Sequence, residues 1–307
     1  MKTLRVLFVG GAKRYSAAEK LIQAGKELDL VVEIYAYEMG FGLPIADIAT
    51  VIQGKKFSAP EILNHLERTL REFAIDIALP YHDRAIPLLA ALSHVAFVPT
   101  CSPDRVQTFG SKIQSAQFFR QHAIPLPAYS AQVPAIAKPD LGSASQGLLR
   151  FTEQSQLDAF LVSPERSHYE VQDLVSGPEY SVDGYIALNS DFRHFAVRQR
   201  LETLGGEAVR SQTVDIPQVE ALCRRISEIS GVRGAITLQF IFDNRNGSYG
   251  VMEVNPRFGG GMLTSWGAGV PWFHILLRDF LGLPQPPACH RTGVLMVRSF
   301  REHFFDT

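Results

Sequence analysis

Residues 235–257 read AITLQFIFDNRNGSYGVMEVNPR, two alternating runs around a polar stretch that contains a glycine. Successive side chains of a strand point to opposite faces. Ile236, Leu238, Phe240 and Phe242 therefore share one apolar face, and Gln239 falls on the other. In the second run Glu253 and Asn255 share a face, while Met252 and Val254 take the opposite one. Asn244–Ser248, with Gly247, reads as a hairpin loop. A five-residue loop pairs Asp243 with Tyr249 and sets Gln239 opposite Glu253. That register keeps both apolar sets together, which is what fixes pairing in a half-buried sheet. It also gathers Gln239, Glu253 and Asn255 beside Arg257.

The segments around this pair divide into two regimes. In the first hundred residues strand and helix signals alternate. Leu4–Val9 ends at Gly10-Gly11, Ser16–Ala24 has helical spacing and stops at Gly25, and Val31–Ala36 is a second strand. Ser58-Ala59-Pro60-Glu61 is a capping box with Ser58 as N-cap, and Ile62, Leu66, Leu70 and Phe73 form a stripe behind it. Ile75–Leu79, the helix Ala85–Ser93 and the strand Ala96–Val98 complete a βαβα order, which predicts a parallel sheet with helices on its faces. After Thr100, Ser102-Pro103 opens helical turns that run to Ala123, and Pro125, Pro127 and Pro134 stop them. Strand-like runs follow at Ala135–Pro139, Tyr169–Val175, Tyr180–Ala187, Phe192–Arg200, Ala235–Asp243 and Tyr249–Pro256. Helices intervene near Gln156–Leu161 and Gln218–Ser230, and Pro271–Leu281 comes later. This part is α+β with mostly antiparallel pairing.

Composition narrows the function classes. Of 307 residues, 46 % are hydrophobic and 20 % charged, the balance of a globular chain. Thirty Lys+Arg against 31 Asp+Glu leave no basic surplus to drive phosphate-backbone binding, which disfavours nucleic acid as the main partner. The longest apolar stretches fall short of a membrane span. Cys101, Cys223 and Cys289 are far apart with no CxxC pair, against a disulfide framework or a zinc knuckle. The expectation is a soluble, reduced, cytoplasmic protein without nucleic-acid or membrane partners.

One carboxylate with two amide oxygens is a hard-oxygen set. It suits Mg²⁺ that also takes phosphate oxygens and water. A single formal charge is too little for a tight all-protein cage, so phosphate has to complete the shell. Arg257 then neutralises charge on a phosphoryl group. Taken without its context, the same pair of strands is an ordinary hairpin with a polar face.

Glu253-Val254-Asn255-Pro256-Arg257 followed by Gly259-Gly260-Gly261 resembles the metal-binding signature of the ATP-grasp superfamily. The branch it is most similar to is the one typified by carbamoyl phosphate synthase, where a glutamine such as Gln239 commonly replaces an acidic residue. The resemblance implies an N-terminal Rossmann-like pre-ATP-grasp α/β domain over 1–100. A two-lobed ATP-grasp fold follows, with a small nucleotide-binding lobe over 101–176 and a larger metal and acceptor lobe over 177–307. It implies ATP and two Mg²⁺ (or Mn²⁺) ions, with Gln239, Glu253 and Asn255 as metal ligands.

The remaining site residues follow from that resemblance in chain order. Lys112, in FGSKIQSAQFF, and Lys138, in IAKPD, look like the two phosphate lysines. On its own a lysine reads as a solvated surface residue, but Lys138 is flanked by Ala135, Ile136 and Ala137. Ser143, Ala144, Ser145 and Gly147 belong to a glycine-bounded loop whose backbone N–H groups can approach an anion; in the family it is a flap over the triphosphate. Glu170, Gln172, Asp173 and Leu174 resemble the adenine hinge, and Glu179, in GPEYSVD, the ribose ligand. Arg198, Arg200 and Arg210 fall near the γ-phosphate and acceptor, Arg200 first, so the catalytic set is Arg257, Lys138 and Arg200. Arg198 and Arg200 share a strand face. Past the strand Ile75–Leu79, His82-Asp83 lie where open α/β sheets bind ligands, although Asp83 also reads as a helix N-cap.

The implied chemistry is ATP-dependent joining of a small-molecule carboxylate to an amine, with ADP and phosphate released. Two alternatives stand beside it: phosphorylation of bicarbonate or carbamate, and a nucleotide-binding regulatory module without turnover. Gly10-Gly11 departs from GxGxxG and does not support a dinucleotide fold. The family's frequent dimers make a homodimer an expectation.

Overall fold

The computed structural model describes residues 2–142, 146–299 and 301–305. The chain begins with β1 (Lys2–Val9), α1 (Tyr15–Glu27), β2 (Leu30–Glu38), β3 (Ala49–Gln53), α2 (Ile62–Glu72), β4 (Ile77–Pro80) and α3 (Ala85–Ala91). Its four strands form a parallel sheet in the order β3-β2-β1-β4, and Phe97 adds a single parallel bridge to Ile77. The strand predicted over Ala96–Val98 is reduced to that bridge, and β3 has no counterpart in the sequence reading. The predicted capping box does not form. Glu61 is the N-cap of α2 and gives no side-chain cap bond; a tight turn, Ile62 N–H to Ala59 O at 3.1 Å, delays the helix start.

Next come α4 (Pro103–Gly110) and α5 (Lys112–Gln121), separated at Ser111, whose extended backbone breaks the predicted continuous helix. β5 (Ala135–Pro139), β6 (Leu149–Phe151), α6 (Gln154–Leu161) and β7 (Tyr169–Asp173) make a three-stranded antiparallel sheet ordered β6-β5-β7. The rest of the chain forms β8 (Glu179–Ile186), β9 (Arg193–Leu204), β10 (Glu207–Thr213), α7 (Pro217–Ser230), β11 (Gly234–Asp243), β12 (Ser248–Asn255), α8 (Leu263–Gly267), α9 (Trp272–Phe280) and β13 (Leu295–Val297). Its sheet is antiparallel throughout, in the order β12-β11-β8-β9-β10-β13.

Four apolar bodies organise these layers, one of them packing α2 and α3 on the parallel sheet through Leu7, Leu66, Leu70 and Leu89. One face of the parallel sheet, with α1, shares a core with α9 of the C-terminal half, where Trp272, Phe273 and Leu276 are fully buried. Each buried Phe or Leu there contributes about 1.5–3 kcal/mol. The six-stranded sheet buries Val182, Leu238, Phe240 and Val254 against α4, α5 and α7. The small sheet has its own core of Ala135, Ala137, Phe151, Leu157, Phe160 and Val171. The small sheet and the large one face each other across a cleft. No helix of the described residues is long and apolar enough to cross a membrane.

Candidate functional site

The cleft holds a cavity of about 320 Å³. Its small-lobe wall carries Lys112, Ile136, Lys138, Gln172 and Leu174, and its large-lobe wall carries Glu179, Arg200, Gln239, Ile241, Met252 and Glu253.

Lys112 is placed by the break before α5. Ser111 caps that helix, accepting from Gln114 N–H at 3.1 Å, and its hydroxyl donates to Asp140 Oδ1 at 2.6 Å. Asp140 lies just past β5 and also takes Ile113 N–H at 3.0 Å. The start of α5 is thereby fastened to the end of β5, and Lys112 Nζ donates to Gly142 O at 2.8 Å. Lys138 stands on β5 opposite Glu170 of β7. Burial pulls its pKa down, Glu253 and Glu179 oppose that, and Lys112 adds to the lowering. Two cations share a partly dry wall there, an arrangement that favours a polyanion between them.

On the opposite wall Gln239 pairs with Glu253 across β11 and β12, as the alternation predicts. The route to that register differs from the expected one. Asp243 pairs with Ser248, not Tyr249, so four residues form the loop. A bulge between Gln239 and Phe240 then supplies the missing residue: Val251 faces Phe240, Glu253 faces Gln239, and Met252 is the extra one. The bulge breaks the alternation, and Met252 lines the cavity beside Glu253 instead of joining Val254 in the core. Gln239 Nε2 donates to Glu253 Oε2 at 3.3 Å. This carboxylate and the amide oxygen of Gln239 are hard donors that fit Mg²⁺ if phosphate supplies the rest of the shell. Among the described residues no group of three or more His, Cys, Asp or Glu could hold a metal alone.

Glu179 begins β8 and pairs with Arg200 of β9, with Arg200 Nε 3.3 Å from Glu179 Oε2. Burial lowers the Arg200 pKa, Glu179 opposes it, and neighbouring Arg198 reinforces it. Arg200 Nη2 donates to Gly206 O at 3.0 Å, and Gly206 also lines the cavity.

Other predicted residues lie outside the main cavity. Asn255 is buried opposite Thr237, two residues further along β12 than Glu253. Arg257 reaches the N-terminal half and pairs with Asp83, Nε to Oδ1 at 2.7 Å. Asp83 spends its carboxylate there and does not cap α3, whose N-cap is Arg84. Glu170 pairs with Arg120 and borders a small adjoining cavity with Met252. The Asp173 side chain is buried and accepts from Ser130 N–H and Oγ at 2.8 and 2.9 Å, while its own N–H and that of Leu174 are taken by Ala128 O and Pro134 O. Gly147 sits near Pro139, and its neighbours Gln146 and Leu148 line the cavity. Ser143, Ala144 and Ser145 lie outside the described residues.

The three arginines do not act as one group. Arg198 is 2 % exposed and bound to Asp183 (2.9 and 3.1 Å), whose carboxylate also takes Ser265 Oγ at 2.7 Å. Arg210 faces Glu202 at the surface. Only Arg200 enters the cleft. Met252, Arg150 and Ile241 line it without having been expected: the bulge hid Met252, and nothing in the local sequence marks Arg150.

Residues 167–302 match a family model described as ATP-grasp in the biosynthetic pathway with Ter operon. None of the curated proteins compared matches the chain. Among solved structures, the biotin carboxylase domain of Hydrogenobacter thermophilus 2-oxoglutarate carboxylase, in complex with MgADP, ADP and bicarbonate, superposes with a TM-score of 0.74. It is 15 % identical, over 95 % of this chain and 73 % of that one. N5-carboxyaminoimidazole synthetase from Staphylococcus aureus, complexed with ADP, gives 0.72 at 15 % identity over 93 % and 79 %. L-amino acid ligase from Bacillus licheniformis gives 0.67 at 15 % identity over 92 % and 74 %. With more than nine-tenths of this chain covered in each case, the superpositions take in the parallel sheet and both antiparallel sheets together. The chain has the fold of ATP-grasp enzymes, and its residues 167–302 match an ATP-grasp family model.

Proposed function

We propose that this protein is an ATP- and Mg²⁺-dependent ligase that activates a carboxylate as an acyl phosphate for attack by an amine. The observation that carries the reading is the pairing of two walls across one cavity, Lys112 and Lys138 on one side and Gln239 with Glu253 on the other. A nucleotide triphosphate between them meets cations along its phosphates and hard oxygens at its far end. Leu174, Ile136 and Met252 give the cavity an apolar part suited to a base. In this reading the Glu179 carboxylate, at the start of β8, accepts from ribose hydroxyls.

In the proposed reaction a substrate carboxylate oxygen forms a bond to the γ-phosphorus, and the bond from that phosphorus to the bridging oxygen breaks, releasing ADP. An amine nitrogen then attacks the acyl carbon, phosphate leaves, and the amine proton passes to solvent. Mg²⁺, held by Glu253 and Gln239 with phosphate oxygens, would draw charge from the transferring phosphoryl group. Lys138 and Arg200 hold the phosphate chain and exclude alternative poses, so the protein acts through positioning and fixed charge. The family's description as part of a biosynthetic pathway favours bond formation over a regulatory role.

The test is ADP release from Mg²⁺-ATP against pooled carboxylates crossed with pooled amines, with bicarbonate as a separate arm and Glu253→Ala in parallel. ADP formed only with a carboxylate–amine pair, and abolished in the variant, is expected. ADP formed with bicarbonate alone would replace the reading by the carboxy-phosphorylating one. Binding of ATP with no turnover in any arm would replace it by a regulatory module.

A further inference from the structure

Glu207 stands where three parts of the chain meet. It opens β10 directly after the Gly205-Gly206 turn that closes β9. From the loop after β1, Arg14 grips its carboxylate with both terminal nitrogens, Nη1 to Oε2 at 3.0 Å and Nη2 to Oε1 at 2.5 Å. Following β13, Arg298 adds Nη1 to Oε2 at 2.7 Å and donates a second bond to Gly260 O. Burial alone would raise the Glu207 pKa; the two guanidinium groups outweigh it and hold it at about 2. The carboxylate is therefore charged and doubly clamped at any working pH.

On the other side of the turn lies the cleft. Gly206 lines the cavity, and its carbonyl accepts from Arg200. Gly205 and Gly206 both have positive φ, 57° and 80°, and carry no side chain to fix the turn. The turn is closed by the pairing of Leu204 with Glu207, so a clamp on Glu207 bears directly on the turn. Neither Arg14 nor Arg298 lines the cavity; the turn connects their grip on Glu207 to Gly206, which does.

We propose that Glu207 is a positioning residue for Arg200: clamped by Arg14 and Arg298, it fixes the Gly205-Gly206 turn so that the Gly206 carbonyl holds the Arg200 guanidinium toward the terminal phosphate of bound nucleotide. The inference rests on the nucleotide reading of the cavity. It goes beyond that reading by tying the phosphate end of the site to the N-terminal domain and to the strand-13 segment.

The experiment compares two probes, Mg²⁺-ADP and Mg²⁺-β,γ-imido-ATP, by calorimetric titration on the full chain. Glu207→Gln is expected to weaken the triphosphate analogue about tenfold while leaving ADP within about twofold, because only the terminal phosphate needs Arg200. Arg200→Ala should show the same split, and the double variant should be no worse than either single one. Arg298→Met provides a second route to the same loosening, and thermal unfolding of each variant confirms that it is folded. A general loss of structure would weaken both nucleotides together, and that result overturns the proposal. So do additive losses in the double variant, or a Glu207→Gln protein with an unchanged ratio of the two affinities. Wild-type protein that binds neither nucleotide overturns the reading of the cavity and this inference with it, whereas wild-type binding with an unaltered ratio in the variants overturns this inference alone.

Discussion

Arg257 and Asp83 join the two halves of the molecule, with Nε–Oδ1 at 2.7 Å and Nη2–Oδ1 at 2.6 Å. Asp83 lies three residues past β4 and Arg257 two past β12, so the pair closes the gap between the ends of strands from different sheets. Both side chains are partly buried, 17 % and 32 % exposed. Asp83→Ala should lower stability by about 1–2 kcal/mol, read as a drop in the thermal midpoint. ADP affinity should stay unchanged, since neither residue lines the cavity. Arg257→Ala should lower the thermal midpoint in the same way, with the double variant little worse than either single one; a loss of ADP-forming turnover in Arg257→Ala that Asp83→Ala does not share would give the arginine a role beyond this pair.

The paired Gln239 and Glu253 make a weakly charged oxygen site. Glu253→Ala should remove ADP release and the Mg²⁺ dependence of triphosphate binding together. Gln239→Glu adds a carboxylate opposite the existing one, and charge count tunes affinity for hard cations. Its expected outcome is tighter Mn²⁺ binding by paramagnetic titration. A Gln239→Glu protein with wild-type Mn²⁺ affinity would show that the two side chains do not share an ion.

Lys138 ties pH to both binding and stability, with opposite signs. Burial lowers its pKa in the folded chain, while the unfolded chain keeps the ordinary value of about 10.4. Between the two values the unfolded state binds more protons, so this residue's contribution makes stability rise with pH. Over the same window the folded protein loses the charge proposed to hold phosphate, so nucleotide affinity should fall. Lys138→Arg keeps its charge and should flatten the alkaline limb of ADP affinity. A variant with the wild-type limb would assign that limb to another group.

Gly177 precedes β8 with no room for a side chain. A Cβ there would lie 1.8 Å from Phe242 O, and Phe242 N–H is itself bound to Pro178 O at 3.0 Å. Gly177→Ala must therefore push two backbones apart at the strand that carries Glu179. A loss of about 3 kcal/mol or more is expected, read from denaturant unfolding. A small effect would mean that the crossing relaxes without cost.

Much of the fold follows from periodicity and breakers. The pairing of Gln239 with Glu253 was readable because a single register satisfies both apolar faces. The bulge at Met252 was not, since alternation carries no mark of where a strand gains a residue. β10 and β13 are short or polar, and their pairing depends on partners far away in sequence, Arg210 on Val297 for example. Arg14, Glu207 and Arg298 were invisible for the same reason: 193 and 91 residues separate the partners of this clamp. Arg198 resembled Arg200 by spacing alone, yet Asp183 on the neighbouring strand keeps it in the core.

The division of the apolar cores has a mechanical consequence. Because α9 packs into the same core as α1 and the parallel sheet, the N-terminal domain and the large sheet form one stiff block that must unfold as a unit. The three-stranded sheet keeps its apolar side chains to itself. Two chain crossings join it to the block, one braced where Asp173 holds Ser130 and the other at Gly177, and the start of α5 ties its rim to the block through Asp140. Any opening of the cleft then moves the plate that bears Lys138 and Gln172, and works against those crossings and the Asp140 tie. Single substitutions at Gly177, Ser130 or Asp140 should stiffen or loosen that motion without touching a residue that lines the cavity.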